Sequence, residues 1–289
     1  MSATSSTVRH DTTAVRVDDE IAAEQARVRL TTAARRARHR LFVIGIRAVS
    51  LIVVIGAWQL VGQRIDPVLF TTPTAVAVAA VQMVASGELW SYLAPSLLVL
   101  TVGLAISAVA GIAGGLLLAR FWVLDVAFDM YITFLYSTPT VALVPLIVLW
   151  VGFESTAKIV ILFLFAFFPL VINTYQGVKN VDPHLLEVGR AFRCSERQLW
   201  TNIVLPAALP FIVTGLRLAV GRGLIGMVLA DLYTAISGIG YLIVRSASTY
   251  RVDKMFVPIV VLGLLGITLT ALLRAAERWI APWTAANGE

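Results

Sequence analysis

The chain is poor in the residues that metal and covalent chemistry need. Its 289 residues include one cysteine, Cys194, and three histidines, His10, His39 and His184. A single thiol excludes an intramolecular disulfide. Cys194 stands in a charged segment between two apolar blocks, where a small packed thiol is expected and a nucleophile is not. No H-E-x-x-H pair and no cluster of Cys and His occurs, so no zinc site is laid out and no metal ligands are assigned. No G-x-x-x-x-G-K-S/T phosphate loop occurs, which removes the usual means of holding ATP. Charge is scarce as well, with Asp, Glu, Lys and Arg at 14%. The apolar runs hold no series of carboxylates for a proton relay. They also hold no activated nucleophile for an intramembrane enzyme, and the chain is expected to be non-catalytic.

What is present is apolar. Hydrophobic residues make up 58% of the chain and the mean hydropathy is +0.85. Several runs reach the roughly 18–20 residues that cross a bilayer. The fold class is therefore an all-α integral membrane protein. Six spans are expected, at about 41–61, 93–119, 123–151, 159–178, 207–234 and 256–280. The apolar stretch 75–85 is too short to cross and is expected along the interface or on the bundle. Residues 242–255 read as a polar outer connection. Residues 1–40 are expected to form a disordered cytoplasmic tail without a signal-peptide pattern. Residues 283–289 form a short C-terminal tail, leaving 41–282 as the transmembrane domain.

The net charge of +6 belongs to the span flanks and is no nucleic-acid signal. With both termini on one side, that side holds Arg35, Arg36, Arg38, Arg40, Arg120, Lys179, Arg190, Arg193, Arg197, Arg274 and Arg278. The other holds Arg64, Lys158, Arg245, Arg251 and Lys254. The asymmetry predicts cytoplasmic termini.

Inside the spans, small residues recur every fourth position at Gly103, Ser107, Gly111 and Gly115, and again at Gly215, Ala219 and Gly223, followed by Gly226 and Ala230. Such stripes let helix backbones approach closely. Whether those faces also slide during transport stays open. Pro139 and Pro145 remove backbone donors from the third span. Ser137, Thr138 and Thr140 are placed to satisfy the freed carbonyls. A kink and a wall of a permeation path, with Thr138 and Pro139 on it, are both admitted. Arg217 and Arg222 fall within the fifth span, where an uncompensated charge costs at least ~2.5–3.5 kcal/mol. With Asp231 they are the candidate residues of a translocation path, structural pairing being the alternative. Asp125 and Asp129 share a face near the inner end of span three and are expected to be solvated or paired.

Between spans four and five lies a charged but half-apolar segment, residues 179–206. Glu187, Arg190, Arg193, Glu196 and Arg197 keep it out of lipid. Leu185, Leu186, Phe192, Leu199 and Ile203 give it a face to bury, so short helices are expected. A structured half-apolar loop at a membrane surface suggests a docking site for another protein.

That segment resembles the cytoplasmic coupling loop of bacterial ABC-importer permeases, whose pattern is E-A-A, three residues, G, nine residues, I-x-L-P. Glu187 holds the first position, with Val188 and Gly189 where alanines are usual. Arg193 stands where glycine is usual; a left-handed arginine there costs roughly 1 kcal/mol or more. Ile203, Leu205 and Pro206 close the pattern at the expected spacing. The stretches 139–152, 167–178, 214–219 and 237–243 are similar to nitrate/sulfonate/taurine-type permeases, so the resemblance covers about residues 45–280. Arg222 departs from it, since an apolar residue is usual there.

The resemblance implies a type I ABC-importer permease fold with a cytoplasmic coupling helix in the bacterial plasma membrane. It implies a second copy of the chain, two ATPase subunits that bind ATP and magnesium, and an extracytoplasmic solute-binding protein. This chain itself would carry no cofactor. Glu187 and Arg190 would make polar contacts in an ATPase groove, and Leu186, Phe192, Ile203 and Leu205 would position the loop helices. Pro206 would set the start of span five. Family solutes include nitrate, alkanesulfonates, taurine, bicarbonate, thiamine-precursor pyrimidines and aromatic acids; two copies of Arg222 lean the expectation towards a small anion. A self-sufficient channel or carrier, or a membrane scaffold, explains the spans but leaves the loop idle.

Overall fold

The computed structural model describes His39 and residues 41–280. Apart from His39, the tails read at 1–40 and 283–289 lie outside the described residues. All described elements are helical. The chain divides into two units, one ending at Arg64 and the other beginning at Ile65. In the first, α1 spans Leu41–Gly62 and is long and apolar enough to cross a membrane.

The second unit holds ten helices: α2 (Pro73–Ala85), α3 (Glu88–Arg120), α4 (Trp122–Ser137), α5 (Thr140–Val151), α6 (Ser155–Lys179), α7 (Pro183–Ala191), α8 (Glu196–Leu199), α9 (Leu205–Thr234), α10 (Ile239–Ser248) and α11 (Val252–Ile280). A short π-helical stretch, Trp200–Val204, joins α8 to α9. Four of these helices, α3, α6, α9 with its leading segment, and α11, pass the length and hydropathy test for a span.

The third expected span is broken: α4 and α5 meet at 98°. Ion pairs fix which way the chain runs through it. Asp125 at the start of α4 pairs with Lys179 at the end of α6. Lys158 at the start of α6 pairs with Asp231 near the end of α9. The chain therefore travels from one end of the bundle to the other between α4 and α6, and the bent pair is one interrupted crossing. The break falls at Thr138–Pro139, and the Thr138 hydroxyl donates to the Phe134 carbonyl at 2.8 Å. Pro145, expected as a second interruption, lies inside α5. Pro139 alone changes direction, because an extended residue before proline ends α4.

Three helices make the centre. Leu162, Ala166 and Leu170 of α6 pack with Val99 and Leu100 of α3 and with Ala219 and Met227 of α9, all buried. The small-residue stripes lie in these contacts. A Cβ on Gly103, Gly111 or Gly115 would lie within 2.6–3.0 Å of α6 atoms, and one on Gly215 or Gly226 within 3.0 Å. The α3 stripe thus closes on α6, and the α9 stripe closes on α6 at Gly215 and Gly226 and on Leu104 of α3 at Gly223. Lipid offers no hydrophobic drive between spans, so close van der Waals contact of this kind supplies the association.

Two expectations are corrected here. The polar connection drawn at 242–255 is mostly helical: it holds the greater part of α10, which buries Ile239, Leu242 and Ser246 on one face, and the first turn of α11. Lys158, counted as an outer flank charge, is an interior residue.

Candidate functional site

The loop between α6 and α9 is ordered by its own backbone chemistry. Asp182 starts α7 by accepting from the His184 N–H at 2.9 Å, the role of an N-cap. At the other end Arg193 takes φ +56°. Its N–H reaches the Arg190 carbonyl at 2.9 Å, and the Cys194 N–H reaches the Gly189 carbonyl at 3.0 Å. This pair of bonds is the Schellman cap that usually employs glycine. The left-handed geometry expected at the usual glycine position is therefore kept, with arginine in it. Ser195 and Gln198 then form a reciprocal capping box that starts α8. The π stretch ends with the Leu205 N–H donating to the Trp200 carbonyl. Pro206 lies just past it, so the helix widens before a residue that has no N–H to donate. Pro206 thus sits within a helix continuous from Glu196 to Thr234, and marks no break in the chain.

Packing divides the loop residues into two sets. Gly189 is buried against α8 and the π stretch: a Cβ there would lie 2.5 Å from Leu199 Cδ2 and 2.9 Å from Ile203 Cδ1. A larger residue there would need the ends of the Leu199 and Ile203 side chains to move. Leu199 and Val204 are buried, Leu186, Ile203, Leu205 and Pro206 half-buried. These hold the loop helices on each other. Leu185, Val188 and Phe192 point outward, Phe192 being 80% exposed. Phe192, the C-cap of α7, does not position the loop helices as expected, since its side chain is exposed. Glu187 and Arg190 are exposed beside it, Glu187 lying 3.8 Å from His184. The result is an unpartnered apolar face with a charged rim.

The loop is tied to the spans. Arg120 at the end of α3 pairs with Glu196 at 2.9 Å and lies over the Trp200 ring at 5.3 Å. Lys179 pairs with Asp125 at 3.0 Å. A displacement of the loop therefore pulls on α3, α4, α6 and α9.

At the opposite end is a buried polar cluster, of which the sequence singled out only Asp231. Lys158 Nζ donates to Asp231 Oδ1 at 2.8 Å, and both side chains are essentially inaccessible. Ser96 Oγ donates to Asp231 Oδ2 at 2.6 Å and accepts from the Ile239 N–H at 2.8 Å. Lys158 also reaches the Ser237 carbonyl at 2.6 Å. Gly238 adopts φ +101°, and a Cβ there would strike the Asp231 carboxylate. Asp231, expected on a translocation path, is turned inward as the hub of this cluster. A buried carboxylate is held only with a counter-ion and full hydrogen bonding.

The two arginines of α9 differ. Arg217 is joined to Glu277 of α11 at 2.8 Å. Arg222 is exposed and lies over the Tyr136 ring at 5.2 Å, its Nη2 3.5 Å from the hydroxyl. Thr138 and Pro139 lie just beyond Tyr136, at the break between α4 and α5. Lys158, Ser96 and Tyr136 were missed by sequence reasoning; Lys158 follows Glu154-Ser155-Thr156 at the start of its span and reads as a flank charge.

Comparison with known proteins places this geometry. The model of the family described as binding-protein-dependent transport system inner membrane component matches residues 111–285. A putative aliphatic sulfonates transport permease protein of Bacillus subtilis is 32% identical over 233 residues, 80% of this chain and 84% of that protein. The taurine transport system permease protein of Escherichia coli is 29% identical over 241 residues, 81% of this chain and 88% of that one. An amino acid ABC transporter crystal structure aligns over 70% of this chain and 97% of its own, with a TM-score of 0.51 and 16% identity. That likeness concerns the fold. The broken span, the ordered loop and the matched length together leave one identification: the chain belongs to the binding-protein-dependent transport system inner membrane components, the multi-pass permease subunits of ABC importers.

Proposed function

We propose that this chain is the transmembrane subunit of an ATP-driven importer for a small anion of the sulfonate class. In this reading residues 179–206 receive the motion of an ATPase. The carrying observation is the face formed by Leu185, Val188 and Phe192, left uncovered at one end of the bundle while the rest of the loop is packed and capped. Exposed apolar surface rimmed by charge marks a protein-binding site. The ties through Arg120–Glu196 and Lys179–Asp125 supply a route from that surface into four helices. The loop end then faces the cytoplasm, as does the N-terminus. ATP and magnesium are bound by the partner ATPases, and two copies of this chain form the path. A solute-binding protein delivers the solute to the opposite end. The sulfonate class is supported by what the sulfonate and taurine relatives are named for.

Gentle detergent extraction from the native membrane tests the reading. The expected result is recovery of an ATPase and a solute-binding protein with this chain. Recovery of a stable oligomer of this chain alone overturns it in favour of a channel or carrier. Glu187→Lys reverses a charge on the rim and is expected to abolish uptake while the protein still inserts.

A further inference from the structure

We infer that Arg222, held over Tyr136, is the residue that selects an anion inside the membrane, taking one oxyanion group of the solute as it passes. The inference rests on the importer reading above and names the chemistry of its path. The other two cations in or beside the packed α6–α9 core are paired. Lys158 has Asp231, and Arg217 has Glu277. Arg222, in the middle third of α9, has no carboxylate within ion-pair distance among the described residues. Its neighbour is a neutral phenol, which supplies a ring face and one hydroxyl. A guanidinium over a ring keeps its outward N–H groups free to bind, and its planar fork matches two oxygens of a sulfonate or carboxylate.

The position cannot face lipid without penalty, because a charge at that depth requires water or a partner. Arg222 lies at the edge of the α9 face that meets α6, seven residues after Gly215 and four before Gly226, with Leu218 and Ile225 exposed on the flank beside it. We take that edge of α9 to look onto a hydrated space, where the charge can stay solvated. Such a space exists beside it. Tyr136 also lines a cavity of about 240 Å³ between α4 and α6, which continues through Thr133 to Asp129 and Asp125. These residues recur at helical spacing and give α4 a polar stripe through an apolar span. Arg222 stands over the Tyr136 end of this stripe, while Asp125 at the loop end is neutralised by Lys179.

The test uses the complete complex, with its ATPase and binding protein, in sealed liposomes. Labelled ethanesulfonate and taurine serve as probes, and both solute moved and ATP hydrolysed are counted. Arg222→Met is expected to lower the number of anions moved per ATP about tenfold, the loss of one charged hydrogen-bonding group. Arg222→Lys restores most of it. Tyr136→Phe, which keeps the ring and removes the hydroxyl, gives a smaller loss. A merely structural arginine would lower transport and hydrolysis together and leave the ratio unchanged; that result, or wild-type transport by Arg222→Met, overturns the assignment while the importer reading stands. A wild-type complex that hydrolyses ATP but moves neither probe overturns the inference together with the proposed solute class.

Discussion

Lys158 and Asp231 show how a charge can be required by a fold that has little room for charge. The pair joins α6 to α9, and through Ser96 and the Ser237–Ile239 backbone it fastens the turn before α10 onto α3. Removing one member leaves the other buried and uncompensated, at a cost of about 3–5 kcal/mol. Lys158→Met should therefore lower the thermal unfolding temperature of the detergent-purified protein markedly. Adding Asp231→Asn removes the stranded charge but keeps acceptors for Ser96 and Gly240, so the double variant should recover a large part of the loss. A double variant no more stable than Lys158→Met would show that the charge is not the stabilising feature. The sequence announced Arg217, Arg222 and Asp231, because each interrupts an apolar run. It did not announce their partners, which lie 60 positions away for Arg217 and 86 for Arg222. Lys158 is 73 positions from Asp231 and lies near the beginning of its span, where a flank and an interior residue look alike.

Element identities were more legible than contacts between elements. Long apolar runs gave the spans, and the period-four stripes in α3 and α9 were visible as packing faces. That both stripes close on α6 was not, since the α6 face they meet is mostly large, Leu162, Phe165 and Leu170, with Ala166 its one small residue mid-helix. The helix α10 was lost among Arg245, Ser246 and Ser248, although Ile239, Leu242 and Ser246 keep one buried side. The stripes make a sharp comparison between adjacent glycines. A Cβ on Gly115 would lie 2.6 Å from Thr174 Cβ and 2.7 Å from the Val171 carbonyl, whereas one on Gly114 would meet only Val171 Cγ2 at 3.6 Å. Gly115→Ala must push backbone apart and should cost about 1–3 kcal/mol. Gly114→Ala fits and should be neutral or stabilising by up to about 1 kcal/mol, from helix propensity. Thermal unfolding of the two variants side by side checks this. Equal behaviour would mean that α3 and α6 do not approach as closely as described.

On the scale of the larger unit, the two ends of the bundle are built for different tasks. The end away from the loop is closed on itself by Lys254–Glu88, Arg251–Asp253 and the Arg245–Tyr92 hydrogen bond, with the Lys158 cluster beneath. The loop end keeps its stabilising residues inside and its apolar surplus outside. If that surplus is the ATPase-docking surface, stability and docking must separate by residue. Phe192 is 80% exposed, so Phe192→Ser should leave the unfolding temperature nearly unchanged, as surface substitutions usually stay within about 0.5 kcal/mol. The same change removes the largest apolar group of the face and should sharply reduce recovery of the ATPase with the purified chain. Leu199 is 4% exposed beneath Gly189. Leu199→Ser should lower the unfolding temperature, and ATPase recovery should fall only because the loop loosens. Full recovery of the ATPase by Phe192→Ser would place the docking surface elsewhere, since no other side chain of the loop offers as much exposed apolar area.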